Sequence, residues 1–176
     1  MNRFNEDNTT IIAKPGQKLT HSMVLEIIET LEHFQLVYDY SVAVVALGSN
    51  DLRWNKHSLP QMQFHIQLLV EYVAQHPKLF LILPDVIPSP DCEEGAQTRI
   101  RALHKHTQQL ARDIRNVLPA QPCKDLYKED KSALNGAMYQ QDEKRVIHLN
   151  HRGTKKYTER LGSVIRHVPY PRNGLY

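Results

Sequence analysis

The sequence predicts an α/β fold, a three-layer α/β/α sandwich built on a mostly parallel sheet. Two nearly unbroken apolar runs of strand length, residues 41–48 (SVAVVALG) and 78–85 (KLFLILPD), are typical of strands that are buried on both faces and therefore parallel. Segments with apolar residues at helical spacing alternate with these runs. This alternation predicts helices on both sides of the sheet and right-handed crossovers between its strands.

The amino-terminal elements follow from β-branched residues, turn residues and capping residues. Residues 9–13 (TTIIA) predict a short strand that ends at the turn residues Pro15 and Gly16. Thr20 is a helix N-cap, and the apolar positions after it predict a first helix that reaches Val37.

The remaining elements are predicted by the same periodicity. Residues 59–75 form a second helix, and residues 85–97 form an exposed loop at the carboxyl end of the second apolar strand. A long basic helix is expected over residues 98–118, followed by a weakly patterned segment with a short strand near residues 123–127. The last helix is expected over residues 154–167.

Length and composition favour one domain. The chain has 176 residues, 41% of them hydrophobic, which suits a single core over residues 9–168 and a tail over residues 169–176. No apolar run is long enough to span a bilayer and the first residues lack a signal-peptide core, so we expect a cytoplasmic protein without membrane contact. Cys92 and Cys123 are expected to be free thiols, and the scattered histidines predict no metal site and no cofactor.

Charge is distributed unevenly along the chain. Residues 1–98 carry 6 Lys/Arg against 12 Asp/Glu, whereas residues 99–176 carry 16 against 7. This asymmetry allows one basic face that binds RNA or another polyanion, and the alternative is an ordinary solvated helix face. Tyr157, Tyr170 and Tyr176 could add stacking surfaces for bases. The candidate polyanion-binding residues are Lys144, Arg145, Arg152, Lys155, Lys156 and Arg160.

Three short motifs occur in order along the chain. They are the dipeptide Pro15-Gly16, the sequence GSND at residues 48–51, and the sequence HLNHRG at residues 148–153. In these motifs the chain resembles the SGNH (GDSL-like) hydrolases, and the resemblance extends from about residue 9 to residue 168. It implies a flavodoxin-like strand arrangement with the site at the carboxyl ends of the strands.

The resemblance implies an ester hydrolase mechanism and assigns roles to three residues. A backbone N–H of Gly16 and the side-chain amide of Asn50 would form an oxyanion hole, and His148 would be the general base. Such neutral donors stabilise a developing negative charge on oxygen. The alternative is structural: Asn50 ends a strand in an Asx-type turn, and His148 caps the last helix.

Two parts of the family pattern do not occur in this sequence. No GDS block with a nucleophilic serine precedes Gly16, and Ser49 is expected to face away from His148. Arg145 stands where the family has an aspartate three residues before the histidine, and Asp142 would reach it only through a bulge. The usual first strand, which lies between the second and third strands of the family, is therefore also expected to be missing.

Three functions remain open at this point. The first is a catalytically incomplete SGNH-like domain that binds RNA or another polyanion. The second is a Ser-His ester hydrolase that acts on an acyl ester substrate and whose nucleophile block is missing from this chain. The third is a scaffold without a ligand. A homodimer is possible as well, because another chain could supply the missing central strand.

Overall fold

The computed structural model describes residues 18–54, 58–90, 95–129, 133–140 and 148–169. The strand expected over residues 9–13 and the candidate residues Gly16, Lys144 and Arg145 lie outside these ranges. The described helices are α1 (His21–Val37), α2 (Ser49–Trp54), α3 (Leu59–Ala74), α4 (Ala96–Ala111) and α5 (His151–Arg166). The described strands are β1 (Ser41–Val44), β2 (Leu79–Pro84) and β3 (Val117–Ala120), and short 3₁₀ helices cover Pro122–Leu126 and Gly136–Met138.

The three described strands form one parallel sheet in the order β1-β2-β3. Every residue of β2 is buried, which confirms the expectation for the second apolar run. β1 differs from the expectation: it ends at Val44, and its residues are half-buried or exposed. The difference arises because β1 has one neighbour in the described sheet, whereas β2 lies between two.

Helices cover both faces of the sheet, and the predicted three-layer α/β/α sandwich is confirmed. On one face, the main apolar core contains side chains of α1, α3 and α4, including Leu31, Leu69 and Leu103. On the other face, a smaller cluster joins Phe80 and Ile82 of β2 to apolar residues of α5. Burial of these apolar faces is the main stabilising contribution to the fold.

The first and third helices begin as their capping residues predict. The hydroxyl of Thr20 accepts a hydrogen bond from the Met23 backbone at 3.2 Å, so α1 starts where expected. Ser58 and Gln61 form a reciprocal capping box at the start of α3. These helices end within two residues of the predicted positions.

The basic helix is shorter than predicted, and this expectation was wrong. α4 ends at Ala111, and the residues from Val117 onward form β3 instead of a last helical turn. Asn116 stabilises the change of direction, because its amide donates to the carbonyls of Val73 at 2.8 Å and Leu79 at 2.9 Å. Pro119 also opposes a helix here and is tolerated in a strand with one described neighbour.

The segment after β3 is also different from the prediction. A 3₁₀ helix over Pro122–Leu126 replaces the short strand expected near residues 123–127. The carboxylate of Asp85, at the end of β2, accepts a hydrogen bond from the Cys123 backbone at 3.1 Å and so caps this helix. α5 begins at His151, three residues before the predicted start, because Asn150 is its N-cap.

Candidate functional site

The GSND segment follows β1 and forms a helix start. Gly48 is buried at φ +91°, and a Cβ there would lie 2.7 Å from Cε of Met62, so both conformation and space favour glycine. α2 begins at Ser49 directly afterward, so a helix starts where the structural alternative expected a turn that ends a strand. Asn50 is half-buried in the first turn of α2.

The aspartate of the same motif has a structural role. Asp51 is fully buried, and its carboxylate accepts a hydrogen bond from the Leu19 backbone at 3.0 Å. This contact holds the chain just before α1 against the start of α2. Part of the motif therefore serves the fold.

The HLNHRG segment is organised by its asparagine. The side-chain amide of Asn150 donates to the carbonyls of Ala137 at 2.9 Å and Tyr139 at 3.0 Å, and its oxygen accepts from the Gly153 backbone at 3.0 Å. His148 is exposed two residues earlier, and its backbone carbonyl accepts from Gln140 at 3.1 Å.

A small cavity lies beyond the carboxyl ends of β1 and β2. Its volume is about 20 Å³, which is room for one water molecule. Asp85, His104 and Thr107 are the polar side chains that line it, and the rest of the lining is apolar apart from backbone. This cavity is itself too small for an acyl substrate.

Burial shifts the protonation of the two titratable groups at this cavity. It raises the pKa of the Asp85 carboxyl, although the hydrogen bond from Cys123 opposes the effect. It lowers the pKa of the His104 imidazole, and the negative charge of Asp85 partly offsets this. The Gln121 amide donates to Nε2 of His104 at 2.7 Å, so a neutral imidazole is well accommodated.

Cys123 is a free thiol, as the sequence predicts, and Cys92 lies outside the described residues. Its sulfur is 3.7 Å from the carbonyl oxygens of Asp85 and Val86. Burial raises the pKa of this thiol strongly, and the nearby Asp85 carboxylate adds to the effect. A thiolate is therefore disfavoured, and Cys123 is an unsuitable nucleophile.

A much larger concavity lies between α5 and the chain after β3, and we call it the basic groove. Its volume is about 500 Å³. Five cationic and two acidic side chains line it, together with one aromatic ring. The lining residues are Lys124, Asp125, Tyr127, Lys128, Glu129, Asn135, Met138, Arg152, Lys156 and Arg160.

The sequence predicted part of this groove. Of the four candidate polyanion-binding residues on α5, the structure brings Arg152, Lys156 and Arg160 together in the groove lining. Lys155 does not line it and forms an ion pair with Glu159 at 4.0 Å.

Sequence reasoning missed the opposite wall. Lys124 and Lys128 lie there, four residues apart on either side of Tyr127, in a segment with no clear periodicity. The spacing of these two lysines around a tyrosine was the available signal.

One ion pair crosses the groove. Nη2 of Arg160 donates to Oδ1 of Asp125 at 2.6 Å, and Nε of Arg160 donates to Oδ2. The Arg160 hydrogen bonds lower the pKa of the Asp125 carboxyl, and the charges of Lys156 and Lys124 lower it further. Asp125 is therefore ionised at neutral pH and offsets part of the positive charge around it.

The aromatic residues of this region differ in accessibility. Tyr157, a candidate stacking residue, packs against the cluster formed by Cys123, Leu126, Met138 and Tyr139, and burial raises the pKa of its hydroxyl. Tyr127 is half-buried and lines the groove. Tyr170 and Tyr176 lie outside the described residues.

Close packing at one glycine forms the groove. A Cβ on Gly153 would lie 2.2 Å from the carbonyl oxygen of Met138, so only glycine allows the first turn of α5 to reach the 3₁₀ helix Gly136–Met138. This contact sets the position of Arg152 and Lys156 relative to the opposite wall.

Among the residues that the structure describes, no helix is long and apolar enough to cross a membrane.

By sequence, no protein-family model and no curated relative matches the chain. Its fold is shared with solved structures. The OSK domain of Drosophila Oskar matches with a TM-score of 0.60 and 14% identity, over 72% of this chain and 62% of that chain. A G-D-S-L family protein from Desulfitobacterium hafniense matches with a TM-score of 0.57 and 20% identity, over 80% and 74% of the two chains.

A structure that is named as an esterase shares the fold as well. A carbohydrate esterase of family 3 from Talaromyces cellulolyticus matches with a TM-score of 0.59 and 14% identity, over 86% of this chain and 67% of that chain. These similarities confirm the SGNH-like α/β fold that the motifs predict. The chain spans about three fifths of the Oskar domain that it matches.

Proposed function

We propose that this SGNH-like chain is a binding domain for single-stranded RNA and that the basic groove is its binding site. One observation carries the proposal: five cationic side chains face two carboxylates around a groove of about 500 Å³. Clustered cations bind phosphates by releasing condensed counterions. The groove is large enough for a nucleotide, whereas the cavity at the sheet edge is not.

The arrangement of the cations suits an extended phosphate chain. Lys124 and Lys128 lie on one wall, and Arg152 and Lys156 lie on α5 across from them. All four side chains belong to exposed residues, so they can reach a ligand without losing buried contacts. Cations on both walls can contact successive phosphates of one strand.

An aromatic ring in the groove lining favours nucleic acid over a polyanion without bases. Tyr127 lines the groove between Lys124 and Lys128 in the sequence. Stacking of a base on such a ring is tolerant of sequence and is favoured when the base is unpaired. A single strand is therefore the form of RNA that this surface fits.

Salt dependence of binding to a fluorescent 12-nucleotide oligo(U) tests the proposal. The double variant Lys128→Gln/Lys156→Gln removes one cation from each wall, and each lost phosphate contact should reduce the slope of log K against log salt by about 0.7. We expect the affinity for oligo(U) to fall about tenfold at low salt, which corresponds to about 1.4 kcal/mol of binding free energy.

A matched control separates the groove from overall charge. Lys18→Gln/Lys105→Gln removes two exposed lysines that do not line the groove. If the control weakens binding as much as the groove variant, or if the wild-type slope is zero, RNA binding in this groove is excluded.

Ester hydrolysis is a second candidate, favoured by the half-buried Asn50 after β1 and by the exposed His148 before α5. In this proposal His148 is the general base, and Asn50 and Gly16 are the oxyanion donors, with Gly16 outside the described residues. An assay with a short-chain aryl ester compares the wild type with His148→Ala. The binding proposal expects no difference, and histidine-dependent turnover would favour the enzyme instead.

A further inference from the structure

We propose that Lys124, Lys156 and Arg160 form a phosphate-binding cluster and that the Asp125 carboxylate occupies this cluster in the free protein. The inference rests on the proposed function and adds a regulatory contact within the same groove. A ligand phosphate would displace Asp125 from Arg160. Asp125 is then an internal competitor that weakens binding.

The geometry of the ion pair supports this role. Arg160 holds the two oxygens of Asp125 with Nε and Nη2, which is the two-pronged arrangement that a guanidinium also makes with phosphate. Two phosphate oxygens can therefore take the position that the two carboxylate oxygens of Asp125 hold. The pair lies among the residues that line the groove, so a ligand can reach it.

The surroundings of Asp125 are those of a bound anion. Arg160, Lys156 and Lys124 all favour its ionised form, and the pKa of the carboxyl is lowered accordingly. The phosphate of an RNA backbone carries a similar charge and would receive the same stabilisation. The cluster thus selects an anion by charge and by the planar fork of Arg160.

The internal contact is exposed enough to be exchanged. The side chains of Arg160 and Asp125 retain 41% and 33% of their accessible surface. Ion pairs with such exposure are weak because water screens them. Arg160 is therefore occupied in the free protein and still available to a ligand that supplies several phosphates.

Substitution of Asp125 tests the competition, with Glu129 as the matched control. Asp125→Asn removes a negative charge and frees Arg160. Glu129→Gln removes an equal charge from the same groove. The hydrogen bonds of Arg160 that the structure describes are to Asp125 and not to Glu129. We expect Asp125→Asn to bind oligo(U) about tenfold more tightly, with a salt slope larger by about 0.7. For Glu129→Gln we expect at most about a twofold gain.

A double-variant cycle links the gain to Arg160. In the wild type, Arg160→Gln should weaken binding less than it does in the Asp125→Asn background, because a phosphate reaches Arg160 of the wild type only by breaking its contact with Asp125. In the Asp125→Asn background the same change should abolish the gain. Equal gains in Asp125→Asn and Glu129→Gln, or a gain that survives removal of Arg160, would overturn the inference and leave only a general charge effect.

Tripolyphosphate provides a measurement that does not depend on RNA. It should stabilise Asp125→Asn against thermal unfolding more than it stabilises the wild type, and unfolding without ligand shows whether each variant is folded. If no variant binds oligo(U) but tripolyphosphate prefers Asp125→Asn, the proposed function fails and the cluster stands. If oligo(U) binds the wild type, Asp125→Asn and Glu129→Gln equally while Lys128→Gln/Lys156→Gln still weakens binding, the cluster fails and the proposed function stands.

Discussion

The carboxyl edge of the sheet and the basic groove differ in size and in polarity. The edge, where the motifs predict chemistry, encloses about 20 Å³ beside Asp85 and His104. The groove has about 500 Å³ and five cations, one of which is Arg152 of the HLNHRG segment. The larger of these two cavities is therefore lined in part by the HLNHRG segment and by no residue of the GSND segment.

Packing explains the difference. At the edge, apolar side chains of α3 and α4, such as Ile66 and Leu103, fill the space beyond the strands. At the groove, an irregular chain meets the exposed face of a helix, and most of the side chains between them are charged. Substitutions in each region can show whether packing and charge there have the effects that the structure implies.

The largest expected effect concerns the glycine that joins the groove walls. Gly153→Ala places a Cβ against the Met138 carbonyl, so either α5 must shift or the contact must break. We expect a loss of about 3 kcal/mol in the free energy of unfolding, measured by urea denaturation, and weaker oligo(U) binding.

Gly162 is the matched control on the same helix. A Cβ there would have as its nearest neighbour only the flexible end of Arg166, at 3.5 Å. Gly162→Ala should therefore stabilise the protein by about 0.5 to 1 kcal/mol, because alanine is the better helix former. Equal losses from both variants would contradict the close approach at Gly153.

The next effect concerns the aromatic ring in the groove. Tyr127→Ala should weaken oligo(U) binding by about 1 to 3 kcal/mol, the usual contribution of one stacked base, and Tyr127→Phe should retain most of it. Fluorescence anisotropy gives both affinities. Tyr38 is an exposed tyrosine outside the groove, so a similar loss in Tyr38→Ala would argue against stacking at Tyr127.

The smallest effect concerns protonation at the sheet edge. The pKa of His104 is lowered in the folded state, so the unfolded chain binds more protons just below pH 6.5. The neutral His104 therefore contributes its full stabilisation above the pKa of histidine in the unfolded chain. This stabilisation is lost as the pH falls toward the lower pKa of His104 in the folded protein. His104→Gln should remove this pH-dependent loss of stability. The decrease in Tm between pH 7.5 and pH 5.5 should then be about 2 °C smaller than in the wild type.

Two controls sharpen this measurement. The pKa of Asp85 is raised, so its contribution has the opposite sign: stability falls as pH rises above about 3.8. His33→Gln alters an exposed histidine and should leave the Tm difference unchanged, so a matching change there would contradict the assignment to His104.

Local sequence signals determined much of the fold. Thr20 and the apolar period after it specify α1, and the apolar run at residues 79–84 specifies the central strand, because caps and periodicity act within a few residues. The cations Arg152, Lys156 and Arg160 were also identified, since they lie on one helix at helical spacing. These features require no knowledge of distant parts of the chain.

Tertiary contacts decided the rest. Asn116 ends the basic helix through carbonyls about 40 residues away in sequence, and Asp85 caps a 3₁₀ helix where a strand was expected. Lys124 and Lys128 lie in the same groove as Arg152 and Lys156 because α5 packs against the chain after β3, and the close contact of Gly153 with Met138 is part of that packing. Side-chain pattern encodes local conformation, whereas which surfaces meet depends on packing between residues that are remote in sequence.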